Sequence, residues 1–274
     1  MFTVRFGAAA FPPLLAQIPN PPELIWIRGD HAALTRPAVA LVGSRAATRD
    51  GLLLAAEIAS DLARAGFVVV SGLARGIDSA AHAAALDAGG ATIAVMGTGA
   101  DQVYPAEHRG LAERIAASGA LVSEFPPGTP PRAFHFPLRN RIISGLSRAV
   151  VVVEAPEKSG ALITAREALD QGREVMAVPG RVGGGRNRGA HGLIRDGAKL
   201  VESAVDILQE LQWPAATPAR RPAERVEFSV DDIARQLNVS PGDALARLLE
   251  WELTGQIQRI GSGRFVRTQE RVLT

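Results

Sequence analysis

The chain has 274 residues, of which 47% are hydrophobic, enough for one sizeable core and a small second domain. The 30 Lys and Arg residues against 28 Asp and Glu residues give a formal net charge of +2, so the total charge does not by itself indicate a nucleic-acid partner. Lysine occurs only at Lys158 and Lys199. The positive charge is therefore almost all arginine. Arginine binds phosphates and base edges well, but genome composition explains its prevalence equally well.

Cysteine is absent, which excludes disulfides, thiol catalysis and thiolate zinc sites. No apolar run reaches the ~18 residues of a membrane span. The first residues lack the charged-then-apolar pattern of a secretory signal. These features predict a soluble cytoplasmic protein that does not contact a membrane.

Residues 1–36 are proline-rich and irregular, and we predict a short N-terminal extension there with one strand at Leu24–Gly29. Apolar strands then alternate with helices over residues 37–212. The predicted strands are Val39–Val42, Phe67–Ser71, Ala91–Met96, Ala120–Ser123, Ala149–Glu154 and Glu174–Val178. The predicted helices are Leu52–Ala65, Ile77–Ala88, Glu107–Ala117, Arg141–Leu146 and Ala161–Gln171. This alternation indicates an α/β fold, a parallel sheet with helices on both faces.

Polar and glycine-rich turns follow several of these strands. They are Gly43-Ser44-Arg45, Ser71-Gly72, Gly97-Thr98-Gly99 and Glu154-Ala155. Ligands of open parallel sheets bind beyond the carboxyl ends of the strands, so the turns predict a binding site at that edge. No GxGxxG follows the first strand, and no GxxxxGK[ST] occurs, so a dinucleotide or P-loop site lacks its fingerprint.

The run Arg139-Asn140-Arg141 stands just ahead of an apolar, helix-like stretch. A helix start and guanidinium groups both favour an anion, so the run predicts a phosphate or base contact. Arg45 at a strand-end turn also fits an anion ligand, whereas Gly43 by itself is explained equally well by a tight turn. Asp78 fits a helix cap or a group that orients Arg75 better than a catalytic acid.

Enzyme chemistry has little support in the sequence. The five histidines are scattered without metal spacing, and His82, within an alanine-rich helix, fits a packed core position. No Ser-His-Asp order or carboxylate pair stands out. We therefore predict no catalytic residue, no metal and no cofactor. The basic segment 181–188 is either a disordered surface loop or an electrostatic lip for a phosphate backbone.

Residues 213–225 are rich in Pro, Ala and Arg without periodicity, which predicts a linker. Residues 226–270 then carry two helix starts, one at Ser229 and one at Ser240-Pro241, where serine suits the N-cap and proline the first turn. Two strand-like segments flanking Gly261-Ser262-Gly263 predict a hairpin. Two helices and a hairpin of this size resemble a winged helix-turn-helix.

Together these motifs strongly resemble the DprA/Smf family of DNA-processing proteins, over about residues 21–270. The motifs are Val42–Arg45, Ser71–Asp78, Phe136–Leu146, Ser159–Ala165, Val178–Gly180 and Leu193–Ala198. The resemblance implies an extended Rossmann-like fold, a head-to-head homodimer, single-stranded DNA binding and loading of RecA during natural transformation. Many members carry a SAM-like domain before the Rossmann-like domain, and residues 1–36 are too short to hold one.

On this basis Arg45 is expected to hold a backbone phosphate beside the backbone N–H groups of Gly43 and Ser44. Phe136 is expected either to stack on a base or to pack in the core. The other expected nucleic-acid contacts are Arg75, Arg132, Arg139, Asn140, Arg141, Ser159, Gly160 and Thr164.

Two other functions remain open from the sequence. Rossmann-like nucleoside-monophosphate phosphoribohydrolases bind phosphate at the same edge, but their Pro-Gly-Gly-x-Gly-Thr pattern is not present. A winged helix can also act as a duplex-DNA repressor. Its predicted second helix carries Arg247 beside Glu250 and Glu252, which makes it a poor major-groove reader.

Overall fold

The structure is a computed structural model that describes residues 1–213, 227–237, 239–253, 257–259 and 264–267. The chain divides into two compact units, Met1–Pro218 and Ala219–Thr274. Among the described residues, no helix is long and apolar enough to cross a membrane.

The described part of the first unit is built on one mixed sheet. Its strands are β1 (Phe2–Arg5), β2 (Leu24–Gly29), β3 (Ala38–Val42), β4 (Val68–Ser71), β5 (Thr92–Val95), β6 (Ala120–Ser123), β7 (Ala149–Val152), β8 (Glu174–Ala177) and β9 (Lys199–Leu200). They lie in the order β1-β2-β6-β5-β4-β3-β7-β8-β9. The strands β3 to β9 run parallel to one another, and β1 and β2 join antiparallel at one edge.

Helices cover both faces of this sheet. They are α1 (Arg49–Arg64), α2 (Ile77–Asp87), α3 (Arg109–Ser118), α4 (His135–Gly145), α5 (Gly160–Asp170), α6 (Arg188–Arg195) and α7 (Ala204–Glu210). Alternate residues of β3 point to opposite faces, so Ala40 joins the core under α4 and α5, and Leu41 joins the core under α1 and α2. The predicted α/β class is confirmed.

The N-terminal extension is part of the sheet. The strand β2 has the predicted bounds, but it pairs antiparallel with β6 and carries β1 on its other side. The sequence also gave no sign of β9, a two-residue strand beside β8. Short edge strands carry too few residues for a periodic pattern, which is why β1 and β9 escaped prediction.

The helix α4 begins at His135 rather than at Arg141. Pro137 lies in its first turn, where a missing N–H costs nothing because that group has no intrahelical acceptor. The sequence prediction placed this proline ahead of the helix and was wrong. Arg139, Asn140 and Arg141 therefore lie within the helix, and they do not carry the free N–H groups of a helix start.

The described part of the second unit contains β10 (Glu227–Ser229), α8 (Val230–Leu237), α9 (Pro241–Leu253), β11 (Ile257–Arg259) and β12 (Arg264–Arg267), with sheet order β10-β12-β11. Ser229 and Ser240 cap the two helices as predicted, since each hydroxyl accepts from the backbone N–H three residues on. The predicted hairpin strands pair antiparallel. The predicted turn 261–263 lies outside the described residues.

Trp213, the first residue of the predicted linker, belongs to the packing of the first unit. Its ring lies 4.7 Å from that of Phe67, and the guanidinium of Arg148 lies 5.4 Å from the Trp213 ring. The rest of the predicted linker, 214–225, lies outside the described residues.

Candidate functional site

A cavity of about 710 Å³ opens at the carboxyl edge of the parallel strands. Segments that follow β3, β4, β5, β6 and β7 line it. The chain runs outward from β3 to β6 and then returns to place β7 on the other side of β3, so the strand order reverses at this point. The crevice at such a reversal is the expected ligand site of an open α/β sheet. Of the predicted strand-end turns, Gly43-Ser44-Arg45 lines the cavity, whereas the residues of Ser71-Gly72, Gly97-Thr98-Gly99 and Glu154-Ala155 do not.

The turn after β3 is held by tight backbone contacts. A Cβ on Gly43 would lie 2.5 Å from Cγ1 of Ile77 and 2.9 Å from the carbonyl oxygen of Glu154, so only glycine fits. The backbone N–H of Ser44 donates to that same carbonyl at 2.7 Å, and the Ser44 hydroxyl accepts from Ala46 N at 3.1 Å. The prediction that the Ser44 N–H faces a phosphate is therefore wrong, because this N–H already has an acceptor.

The side chain of Arg45 extends from this turn into the cavity. It is exposed, and its guanidinium carbon lies 5.5 Å from the centroid of the Phe136 ring. Within the described part of the chain, no carboxylate lies within 4.0 Å of it. Stacking on an aromatic face orients a guanidinium without neutralising its charge.

Arg139 also lines the cavity, but its side chain is only 4% exposed. Its Nη1 donates to the carbonyl oxygen of Gly72 at 2.8 Å and to that of Val95. Burial lowers the pKa of Arg139 to about 10, against the opposing charge of Asp78 and with a further lowering by Arg45. The guanidinium of Arg139 thus forms a fixed part of the cavity floor.

Asp78 stabilises the loop after β4. Its Oδ2 accepts from the backbone N–H groups of Gly72 at 3.1 Å and Ala74 at 3.3 Å. Burial raises the pKa of this carboxyl, and the charge of Arg139 opposes the rise. The alternative that Asp78 orients Arg75 is wrong, because Arg75 forms a bidentate ion pair with Glu107, at 2.5 and 2.9 Å.

Arg141 and Arg132 do not line this cavity. Arg141 donates to both carboxylate oxygens of Glu124, at 2.7 and 2.6 Å, and to the Asn20 carbonyl at 3.1 Å. Arg132 is exposed in the segment before α4, whose neighbours Pro131 and Ala133 do reach the cavity. The structure therefore does not bring these two predicted contacts together with Arg45.

Phe136 packs against the fold on one side and borders the cavity on the other, so its stacking on a base stays a prediction. The ring is half-buried against Gly97, where an added Cβ would lie 2.7 Å from it, and it also lines the cavity. Tyr104 lies beside it, with ring centroids 5.6 Å apart, and is 43% exposed. Tyr104 was not among the residues predicted for the site, although it is the single tyrosine of the chain and follows a predicted strand.

The opposite wall comes from the start of α5. Ser159 caps this helix by accepting from Ala161 N at 3.2 Å, and the side-chain nitrogen of Asn140 donates to the Gly160 carbonyl at 3.3 Å. Thr164 is 2% exposed and lines the same wall. The structure thus brings together the predicted residues of this wall and adds Lys158, which was not predicted for the site.

The cavity lining is poor in titratable side chains that could act as an acid or base. Asp78 is the one carboxylate among the described residues that line it, and its Oδ2 accepts two backbone N–H groups. No group of three or more His, Cys, Asp or Glu side chains suited to a metal occurs in the described residues. The buried His82 hydrogen-bonds to Thr92 in the core, as predicted, and does not line the cavity.

Comparison with known proteins agrees with this architecture. A family model for DNA recombination-mediator protein A matches residues 2–212, and one for the DprA winged helix domain matches residues 224–263. DNA processing protein DprA of Streptococcus pneumoniae is 46% identical over 73% of this chain and 70% of its own length. Protein Smf of Escherichia coli is 40% identical over 92% of this chain and 74% of its own length.

Solved structures point the same way. The crystal structure of DprA from S. pneumoniae superposes with a TM-score of 0.74 at 44% identity, covering 76% of this chain and 74% of that one. DNA processing protein A from Helicobacter pylori superposes with a TM-score of 0.69 at 27% identity, covering 77% of this chain and 95% of that one. That structure concerns the single-stranded DNA binding mode of the H. pylori protein. The matched fold, the strand-end motifs and the winged-helix region show that this chain belongs to the DprA/Smf family of DNA-processing proteins.

Proposed function

We propose that this chain binds single-stranded DNA in the strand-end cavity and acts there as a recombination mediator without catalysis. The observation that carries the proposal is the pair of guanidinium groups facing one cavity. Arg45 is exposed at the mouth without a carboxylate partner among the described residues, and Arg139 is buried at the floor. Two like charges at one cavity favour an anion between them, and a backbone phosphate supplies it.

Single strands fit this cavity better than duplex DNA. Phe136 and Tyr104 present aromatic surface beside Arg45, and an unpaired base can stack on such surface whatever its identity. A duplex keeps its bases stacked inside and offers only its phosphates. The relative from H. pylori, whose structure concerns single-stranded DNA binding, supports the same choice of ligand.

The mediator role rests on family membership. The matching family model describes a recombination mediator, and such a protein must hold a strand and then release it to a recombinase. We propose that the chain protects incoming single strands and loads RecA on them in natural transformation. Faster RecA assembly on single strands covered by this protein than on strands covered by a general single-strand binding protein would support this role. Inhibition of assembly would contradict it.

Hydrolysis of nucleotides is the competing function. A phosphoribohydrolase needs an available acid or base next to the sugar, and Oδ2 of Asp78 is occupied by two backbone N–H groups. We therefore expect no free base to be released from nucleoside monophosphates incubated with the protein. Release that Asp78→Asn abolishes would establish the enzyme instead.

Changing Arg45→Ala should weaken single-strand binding by about tenfold, since one charge-assisted phosphate contact is lost. The slope of log affinity against log salt should flatten by about 0.7, the value for one phosphate of a single strand. The melting temperature should stay unchanged because the side chain is exposed. Fluorescence anisotropy on single-stranded and duplex oligonucleotides across a salt series measures the first two quantities.

Arg64→Ala is the matched control for Arg45→Ala. It removes one charge at the far end of α1, where Arg64 pairs with Asp61, and it should leave binding unchanged. Equal affinity of the wild type for single strands and blunt duplex would contradict the proposed strand type. A collapse of melting in Arg45→Ala, with normal binding by the remaining folded protein, would make Arg45 structural.

We also propose that the chain works as a homodimer joined along β9. This strand is an edge of the described sheet, and Leu200 on it is 52% exposed. An unpaired edge with an exposed apolar side chain is a natural interface. The β9 edge is also the one nearer to the cavity, so pairing there would bring two cavities close along one strand and raise avidity.

Leu200→Asp should convert the dimer into a monomer and remove the advantage of long oligonucleotides over short ones. Light scattering and a length series measure both effects. Phe2→Asp, on the opposite edge strand β1, is the matched control and should leave the dimer intact. A dimer that survives Leu200→Asp but not Phe2→Asp would place the interface at the other edge.

A further inference from the structure

The basic segment 181–188 lies between β8 and α6, ends at the first residue of α6 and lies at the carboxyl edge of the sheet. In the strand order, β8 lies between β7, which borders the cavity, and the edge strand β9. The segment therefore occupies the rim of the sheet on the β9 side of the cavity. From the sequence, this segment is predicted to be either a disordered surface loop or a basic rim that attracts a phosphate backbone.

One side chain joins this segment to the cavity. Nη1 of Arg186 donates to the carbonyl oxygen of Ala46 at 2.7 Å, and Ala46 lines the cavity next to Arg45. One N–H of the five on the guanidinium is used in this bond. The guanidinium of Arg186 therefore lies beside the turn that carries Arg45.

Arg186 differs from the neighbouring arginines because no carboxylate of the described residues lies close to its charge. Arg181 has Asp50 at 3.9 Å and Arg188 has Glu157 at 3.9 Å. Arg186 is exposed and has no carboxylate within 4.0 Å in the part of the chain that the structure describes. Together with Arg45, it provides a second unneutralised guanidinium at the rim.

The loop before Arg186 leaves room for a polymer to pass. A Cβ added to Gly183 or Gly184 would meet no atom within 4 Å, and Gly184 and Gly185 adopt φ of +76° and +73°, which favour glycine. No side chain at these positions separates the backbone from solvent. A strand leaving the cavity can therefore lie close against this loop.

The opposite rim, toward β5, has a different character. There the charge of Arg75 is neutralised by Glu107, and the exposed group next to the cavity is the ring of Tyr104. A phosphate backbone is drawn to the cationic β8 rim, and an aromatic surface instead suits a base. The two rims of the cavity thus differ in the part of a nucleotide they attract.

We propose that Arg186 binds a backbone phosphate of single-stranded DNA just outside the cavity, so that the strand leaves along the β8 rim toward β9. This inference rests on the proposed function, because it concerns the continuation of the same strand. The subsite holds the phosphodiester and not the base. It therefore adds affinity for any sequence long enough to reach it.

The test compares two lengths of oligothymidylate, one of about 4 nucleotides that fills the cavity and one of about 12 that extends beyond it. Arg186→Ala should weaken the affinity for the longer oligonucleotide by about tenfold. It should also flatten the slope of log affinity against log salt for that oligonucleotide by about 0.7. The affinity for the shorter one should not change. Arg186→Lys keeps the charge and should retain the salt slope.

Arg36→Ala is the matched control, because Arg36 also donates to a backbone carbonyl, that of Gly66. Both residues precede strands, so this contact lies at the amino ends of the strands, away from the cavity. Arg36→Ala should change neither affinity. Equal weakening of both lengths by Arg186→Ala would overturn the inference, since Arg186 would then act only by positioning the Arg45 turn. No effect at either length would overturn it as well. A wild type that binds neither oligonucleotide would overturn the proposed function itself.

Discussion

Replacing Arg139 by methionine should lower the free energy of unfolding by about 2–4 kcal/mol. The guanidinium donates to the carbonyl oxygens of Gly72 and Val95 in a site that is 4% exposed. Methionine fills similar space but donates no hydrogen bond, so both buried carbonyls lose a partner. The charge of Asp78 also loses the cation that opposes its burial. Urea unfolding followed by circular dichroism measures the change.

Arg45→Met is the matched comparison for Arg139→Met. It makes the same substitution at the same cavity, but at an exposed side chain, and should keep the wild-type stability while weakening single-strand binding. Arg139→Lys keeps a charge and a donor and should recover part of the stability. Full stability of Arg139→Met together with weak binding would make Arg139 a direct ligand, as the sequence predicted, and not a structural part of the floor.

The protein should lose stability on acidification through His82. The hydroxyl of Thr92 donates to the Val69 carbonyl at 2.6 Å, so the contact of 2.7 Å between His82 Nδ1 and Thr92 Oγ1 places the proton on Nδ1. The other ring nitrogen, Nε2, is buried without a hydrogen-bond partner. Burial lowers the pKa of His82 to about 3, with smaller contributions from Arg139 and His108.

The sign of the effect follows from proton linkage. The unfolded chain takes up a proton on this ring near pH 6.5, whereas the folded protein does so only near pH 3. The stabilisation is therefore complete above pH 6.5 and is lost as pH falls, by up to about 1.4 kcal/mol per pH unit. Urea unfolding between about pH 6 and pH 4.5 isolates this slope from most carboxyl groups.

His82→Gln should remove this acid slope whatever its stability at pH 7. Thr92→Val is the matched control, because it removes the hydrogen-bond partner and keeps the titrating ring. It should lower stability at every pH and retain the slope. An unchanged slope in His82→Gln would assign the acid sensitivity to other groups.

The pattern of apolar segments was enough to predict the parallel sheet. Strands such as β3 and β7 are buried along their whole length. Only in a sheet covered by helices on both faces must every residue of a strand be apolar. The same reasoning predicted the edge of the sheet at which the cavity opens, because parallel strands place all their carboxyl ends together. Arg45 and Phe136 line one cavity at this edge, and their contacts with nucleic acid stay a prediction.

Contacts across the fold decided what each arginine does. Arg139 and Arg141 look alike in sequence, but positions two apart on a helix face different sides. One therefore reaches the Gly72 carbonyl under the cavity, and the other reaches Glu124 outside it. Placing α4 correctly from Pro137 would have separated their directions.

What the sequence alone determined was the fold class, the edge of the sheet at which the cavity opens and the family, since these follow from periodicity, strand direction and ordered motifs. What only the tertiary structure decided was which cations remain free to bind an anion. Arg75 is neutralised by Glu107, which lies beyond another strand, whereas Arg45 and Arg186 have no such partner among the described residues. The physical reason is that neutralisation depends on distances of a few ångströms between segments remote in sequence, and no local pattern encodes those distances.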